Sequence, residues 1–156
     1  MIKYRIMFVC HGNICRSPMA EFIFKDIAEK HGKANEYIIA SSATSTEEII
    51  LGRGNPVYHS AREMLKSHGI SCDGKRAVQL KKEDYEKYDL FIGMDSANVR
   101  NMHKILGNDS EGKIKKLLSY AGKEKDVADP WYSDRFDIAY SDILEGCIAL
   151  WKELEG

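Results

Sequence analysis

Val9-Cys10-His11-Gly12-Asn13-Ile14-Cys15-Arg16-Ser17 is the stretch on which the reading of this chain turns. An apolar run, Ile6-Met7-Phe8-Val9, precedes it and reads as a buried strand; Pro18, the residue best suited to the first position of a helix, follows it. A strand therefore ends in a tight turn that opens a helix. Backbone N–H groups converge inside such a turn, and the helix N-terminus adds partial positive charge, which makes the loop an anion site. Gly12 and Asn13 both tolerate positive φ, so a loop this short can curl. Cys10 opens the turn and Arg16 closes it.

A thiol becomes a strong nucleophile on ionising, and a helix N-terminus beside a guanidinium favours the thiolate. Arg16 offers a planar fork of N–H donors that matches two oxygens of a tetrahedral oxyanion. The pattern predicts a loop, His11 through Ser17, that holds a phosphate with its phosphorus facing Cys10. A small buried hydrophobe at a strand end is the commoner fate of a free cysteine. That reading leaves the Gly-Asn turn, Arg16 and Ser17 without a role. A nucleotide-binding phosphate loop is excluded because no Gly-Lys-Ser/Thr ends the turn.

Working outward, Tyr4 to Cys10 is the first strand, and an amphipathic helix runs from Pro18 to about His31, with Met19, Phe22, Ile23 and Ile27 on its apolar face and Glu21 and Lys25 between. Tyr37 to Ala40 is the second strand, followed by a Ser/Thr-rich loop, Ser41 to Thr46, and an irregular segment from Glu47 to Pro56. A second helix starts near Pro56 and ends at Gly69. Ala77 to Leu80 is a short extended piece, and Lys81 to Lys87 a charged helical turn or two. Tyr88 to Met94 is the third main strand, after which Asp95 or Ser96 caps a helix stopped by Gly107. Ile114 to Tyr120 is assigned as the fourth strand, with helix as its competitor. Phe136 to Leu154 closes the chain as a long amphipathic helix.

Strands alternating with helices imply parallel pairs and a doubly wound sheet, which binds ligands at the carboxyl ends of its strands. The polar residues after the strands, Cys10 to Ser17, Ser41 to Ser45, Asp95 and the segment leading to Asp129, should therefore meet at one edge. Expelling an alkoxide or phenoxide from phosphate needs a proton, and Asp129 is the candidate donor. An isolated Asp-Pro is more often a turn. Asp95 is placed either to orient Arg16 or simply to cap the next helix, and Ser17 to cap the helix that it enters.

The 156 residues, 44% of them hydrophobic, fit one compact domain spanning residues 1–156. A net charge of −1 argues against a nucleic-acid partner. The apolar run behind Lys3 and Arg5 is too short for a signal peptide or a membrane span, so a cytoplasmic location is expected. Cys10, Cys15, Cys72 and Cys147 match neither a zinc pattern nor a secreted disulfide framework. No His/Asp cluster with ligand spacing is present, and neither metal nor cofactor is expected.

Cys10-x5-Arg16-Ser17 with Gly12-Asn13-Ile14-Cys15 inside it, and Asp129-Pro130-Trp131-Tyr132 near the C-terminus, resemble the low-molecular-weight protein tyrosine phosphatases over essentially the whole chain. The resemblance implies an α/β three-layer sandwich, its four-stranded parallel sheet in flavodoxin-like order with helices on both faces. It implies hydrolysis of phosphotyrosine in tyrosine-phosphorylated proteins by a monomer, through a phosphocysteine. Cys10, Arg16 and Asp129 would be catalytic. Ser17 would hydrogen-bond the sulfur, and Asn13, Ser41 and His68 would belong to a network shaping the loop. For His68 a helix C-terminal histidine is the equal alternative. Trp131 and Tyr132 would wall the pocket, with Trp131 departing from the commoner tyrosine pair. Cys15 is associated in this family with reversible redox inactivation, although from the sequence it equally well fills space. Arsenate reduction and protein-arginine phosphatase activity are the alternatives on the same fold; the first needs a close cysteine pair, and the second goes with Thr where this chain has Ile14.

Overall fold

A computed structural model describes residues 1–156. The chain forms β1 (Tyr4–Cys10), α1 (Arg16–Lys30), β2 (Tyr37–Ala43), a small hairpin of β3 (Ile49–Ile50) and β4 (Arg53–Gly54), α2 (His59–Ser67), β5 (Leu90–Gly93), α3 (Ser96–Leu106), β6 (Ile114–Lys116), α4 (Pro130–Ser133) and α5 (Phe136–Glu155). Strands β2, β1, β5 and β6 lie in that order in one parallel sheet. This is the expected flavodoxin-like order.

Alternation along β1 divides the interior. Ile6, Phe8 and Cys10 face the larger apolar cluster under α1, α2 and α5, whereas Met7 and Val9 face a smaller one with Met102 and Leu106 of α3. Every residue from Ile6 to Cys10 is buried, as a central strand covered on both faces requires. The carboxyl end of β1 is thus held on all sides before the chain turns.

Several elements depart from the sequence reading, each for a local reason. Helix α1 begins at Arg16, so Pro18 occupies the third helical position, still within the turn whose N–H groups have no intrahelical acceptor. Helix α2 begins only at His59, because Tyr58 N donates to Ile14 O at 2.8 Å and Pro56 pairs with Arg76. The irregular 47–56 segment contains a hairpin whose tip, Leu51-Gly52, has positive φ at both residues (50° and 78°). These are the signs that a tight two-residue hairpin loop needs. The fourth strand is only Ile114–Lys116, and a 3₁₀ turn, Leu117–Ala121, follows it. Leu117 and Leu118 are both fully buried; consecutive strand residues would point to opposite faces. Leu117 fits because α5 carries Gly146 there, where an added Cβ would lie 2.4 Å from Leu117 Cγ.

At the far end of the sheet, Glu155 joins α5 to the β2 edge by accepting from Lys33 Nζ at 2.5 Å, Lys3 Nζ at 3.2 Å and the Tyr37 hydroxyl. The hydrogen bonds from Lys33 and Tyr37 pull its carboxyl down to about 2. A carboxylate depressed in the folded state stabilises fully above its unfolded value of about 4.3 and loses that contribution as pH falls toward the folded value. Glu155→Gln should therefore unfold at a lower temperature than the wild type at pH 7, with the gap narrowing below about pH 4.3. Thermal melts across this range check it; a pH-independent gap would mean that the charge is idle.

Candidate active site

The carboxyl end of the sheet opens into a cleft of about 570 Å³, lined by Cys10 to Arg16, Glu47 and Glu48 of the segment entering the hairpin, Asp95, Asp129, Trp131 and Tyr132. Strand β1 delivers Cys10, the first turn of α1 delivers Arg16 and Ser17, the end of β5 leads to Asp95, and Asp129 immediately precedes α4. The predicted convergence of strand ends is present. Trp131 is half exposed, its ring edge-on to Tyr58 at 5.1 Å, whereas Tyr132 is almost wholly exposed.

No side chain caps the N-terminus of α1, and Cys15, not Ser17, sits at the cap position. Ser17 is spent elsewhere: its Oγ lies 2.9 Å from Cys10 Sγ. The direction of that bond follows from its neighbours. Asn13, held at φ 59°, donates through Nδ2 to both Ser17 Oγ (2.8 Å) and Ser41 Oγ (2.9 Å), which uses both of its amide protons. Ser17 Oγ is therefore an acceptor from Asn13, and its own proton is left to point at the sulfur. Asn13 Oδ1 in turn accepts from Val78 N at 3.0 Å. A hydroxyl proton aimed at Sγ stabilises a thiolate more than a thiol.

The same chain of bonds runs on beneath the loop. Ser41 donates to Glu21 Oε1 at 2.6 Å, and Glu21 also accepts from Lys25 at 2.6 Å and faces Lys75 at 3.5 Å. Lys75 donates to Ser41 O at 2.9 Å. Burial lowers the affinity of the Lys75 ammonium for its proton, against the pull of Glu21. Sequence reasoning missed this pair. It assigned Glu21 to the polar side of α1, yet Glu21 is buried; the available signal was a carboxylate one turn after the loop with a lysine four residues on.

His68 is a correction. It lies at the C-terminus of α2, where its ring meets Met64 O at 3.0 Å and Ser67 Oγ at 3.2 Å and stacks on Tyr140. It takes no part in the Asn13 network; Lys75 supplies the cation beneath Ser41 instead. His68 follows the last turn of α2, which directs it to that helix's own terminal carbonyls.

Arg16 is almost completely buried and doubly held: Nη1 donates to Val127 O at 3.1 Å and Nη2 to Asp95 Oδ2 at 2.9 Å, with Asp129 Oδ2 at 3.6 Å. Burial works against its charge, but Cys10, Asp95 and Asp129 outweigh that and raise its affinity for the proton. Asp95 fulfils both expected roles, since its other oxygen accepts from Asn98 N at 2.7 Å as the cap of α3. Asp129 caps α4 by accepting from Trp131 N at 3.0 Å. Cys15 is buried; burial first, then the neighbouring Cys10 and Asp129, push its thiol up to about 12. All four cysteines are free thiols.

His11 lies on the rim, its ring 3.0 Å from Glu47 Oε2 and its carbonyl accepting from Ser45 N at 2.9 Å. Gly12 is backed by Glu48, whose Cγ would lie 3.2 Å from an added Cβ. The loop between Cys10 and Arg16 is thus braced from outside by the segment that leads into the β3–β4 hairpin.

The family model of the low molecular weight phosphotyrosine protein phosphatases matches residues 5–156. The low molecular weight protein-tyrosine-phosphatase YfkJ of Bacillus subtilis is 36% identical over 152 residues, covering 96% of this chain and 95% of the relative. Its crystal structure superposes with a TM-score of 0.91 over 99% of this chain and 95% of that one. The low molecular weight phosphotyrosine protein phosphatase of Gallus gallus is 34% identical over 150 residues, 94% of this chain and 90% of the relative. A drosophila arginine phosphatase structure, 25% identical, superposes with a TM-score of 0.86 over 97% of this chain and 98% of that one.

Proposed function

Because the chain belongs to the low molecular weight phosphotyrosine protein phosphatase family, we propose that it hydrolyses phosphotyrosine in proteins through a phosphocysteine on Cys10, with Asp129 as general acid and base. The observation that carries this reading is the convergence of Cys10, Arg16 and Asp129 in one cleft, at the end of β1 and the start of an uncapped helix. Loop N–H groups and the Arg16 fork receive the phosphoryl oxygens. The Cys10 sulfur attacks phosphorus, the S–P bond forms as the P–O bond breaks, and Asp129 gives its proton to the departing phenolic oxygen. Water then attacks the phosphocysteine, Asp129 takes a proton from it, and the S–P bond breaks to return the thiolate, which Ser17 and Arg16 stabilise. Trp131, steadied by Tyr58, and Tyr132 form the wall against which a phenyl ring lies.

Ile14 distinguishes phosphotyrosine from phosphoarginine. It lines the cleft, where its branched apolar group would pack on a bound phenyl ring but offers no acceptor to a guanidinium. An unpaired buried donor costs roughly 1–3 kcal/mol, enough to disfavour phosphoarginine by about one to two powers of ten. Phosphotyrosine, phosphoarginine and phosphoserine peptides assayed side by side should give the first the highest kcat/KM. Ile14→Thr, which keeps the shape and adds a hydroxyl, should shift the ratio toward phosphoarginine by about tenfold. A wild-type preference for phosphoarginine, or a ratio indifferent to Ile14→Thr, would overturn this specificity. Arsenate reduction is disfavoured by Cys72, which is buried in the apolar core and raised by that burial away from ionisation.

A further inference from the structure

The segment that carries Asp129 has no regular structure between the 3₁₀ turn ending at Ala121 and α4, so something outside it must fix where the acid stands. Beside the Asp126 carboxylate, which accepts from Ser96 and Lys116, three backbone anchors nearer the acid do so. Val127 N donates to Met94 O at 2.9 Å, Val127 O accepts from Arg16 Nη1 at 3.1 Å, and Ala128 N donates to Asp142 Oδ2 at 3.1 Å. The first two tie the segment to the residue that follows β5 and to the arginine of the loop. The third ties the residue immediately before the acid to α5, and it depends on one side chain. Asp142 is a buried carboxylate on the face that α5 turns inward, with its second oxygen 3.6 Å from Lys125 Nζ of the same segment.

A buried acid on a helix otherwise packed through Ala139, Ile143 and Cys147 loses hydration and needs a matching donor. The Ala128 amide is that donor. We propose that Asp142 is a positioning residue for catalysis: by holding Ala128 N it sets the place of Asp129 relative to Arg16 and the leaving oxygen. This rests on the reading of Asp129 as the general acid. Its effect reaches the reaction only through Asp129, since Asp142 is not among the residues lining the cleft.

A residue that acts through the acid leaves a signature that a merely structural one does not. Proton donation matters most for a poor leaving group, so misplacing Asp129 slows phosphotyrosine more than an aryl phosphate with a highly acidic phenol. Asp142→Ala removes the acceptor, whereas Asp142→Asn retains an oxygen for Ala128 N and loses only the attraction to Lys125. Measure kcat/KM for phosphotyrosine and for para-nitrophenyl phosphate in both variants, with Asp129→Asn alongside. Because each ratio is taken on one preparation, it does not depend on how much of the variant is folded. Asp142→Ala is expected to lower the phosphotyrosine rate by about tenfold or more, with a clearly smaller loss on para-nitrophenyl phosphate and with Asp142→Asn restoring most of it. If Asp129→Asn shows the leaving-group dependence and Asp142→Ala loses both substrates equally, or Asn fails to rescue, the positioning role is overturned and the acid stands. If Asp129→Asn itself loses both equally, the acid assignment falls, and the role of Asp142 with it.

Discussion

Cys10→Ser is expected to abolish turnover of phosphotyrosine while vanadate and phosphate still bind. The substitution exchanges sulfur for oxygen at the end of a strand buried on both faces, so the backbone has no reason to move. The loop N–H groups and Arg16, fixed by Asp95 and Val127 O, remain in place. The lost property is the nucleophile. The Ser17 proton that points at Cys10 Sγ would meet a neutral hydroxyl, which gains far less from it than a thiolate does. Removal of a covalent nucleophile costs on the order of 10⁶ in kcat in well-studied hydrolases, and a drop of that order is the expected result. Vanadate titration by tryptophan fluorescence, with Trp131 in the wall of the cleft, measures the retained binding. Substantial turnover by Cys10→Ser would end the covalent mechanism, and loss of vanadate binding together with turnover would mean the loop depends on the sulfur for its shape.

Asp129→Asn should lower kcat/KM on phosphotyrosine by about 10²–10⁴-fold, the usual range for a general acid. The replacement is conservative where structure is concerned. An asparagine oxygen still accepts from Trp131 N, so the cap of α4 survives and only the transferable proton is gone. The loss should shrink as the leaving phenol becomes more acidic, because such phenoxides depart without help. A series of aryl phosphates of graded leaving-group acidity reads this directly. A constant loss along the series would make Asp129 a structural cap and leave the reaction without an identified acid.

What the sequence disclosed about this molecule follows the range of the forces involved. The buried run before Cys10, the glycine stops at Gly69 and Gly107 and the alternation of strand and helix are local or periodic, and they carried the architecture. Cys10, Arg16 and Ser17 lie within eight consecutive residues, so their meeting was readable from spacing. Asp129 was legible through the rule that strand ends converge and through the likeness of Asp129-Pro130-Trp131-Tyr132 to the family's pattern. Glu21 and Lys75 were not, because nothing in an amphipathic pattern says that one charged residue of a helix will turn inward to meet a lysine far along the chain at 3.5 Å. For the same reason His68 attracted a role that Lys75 holds: proximity in space across two loops has no signature in one sequence. The end of the fourth strand was missed because Leu117 and Leu118 both needed burial, a demand of α5 and not of their own segment.

The loop that opens at Cys10 and the first turn of α1 are one piece of chain, and the next turns of that helix, Met19, Ala20, Ile23 and Phe24, are sealed in the larger apolar cluster with Phe8 and Trp151. Local opening in a protein ranges from nearly free to as costly as global unfolding, and segments packed into the core lie at the costly end. The loop between Cys10 and Arg16 is therefore held on its helical side by the core itself, and heating is expected to cost the loop its shape together with the core and not before it. Such a site would have no melting point of its own: activity and core packing are expected to be lost at one temperature, so that the activity surviving a stress counts the intact molecules.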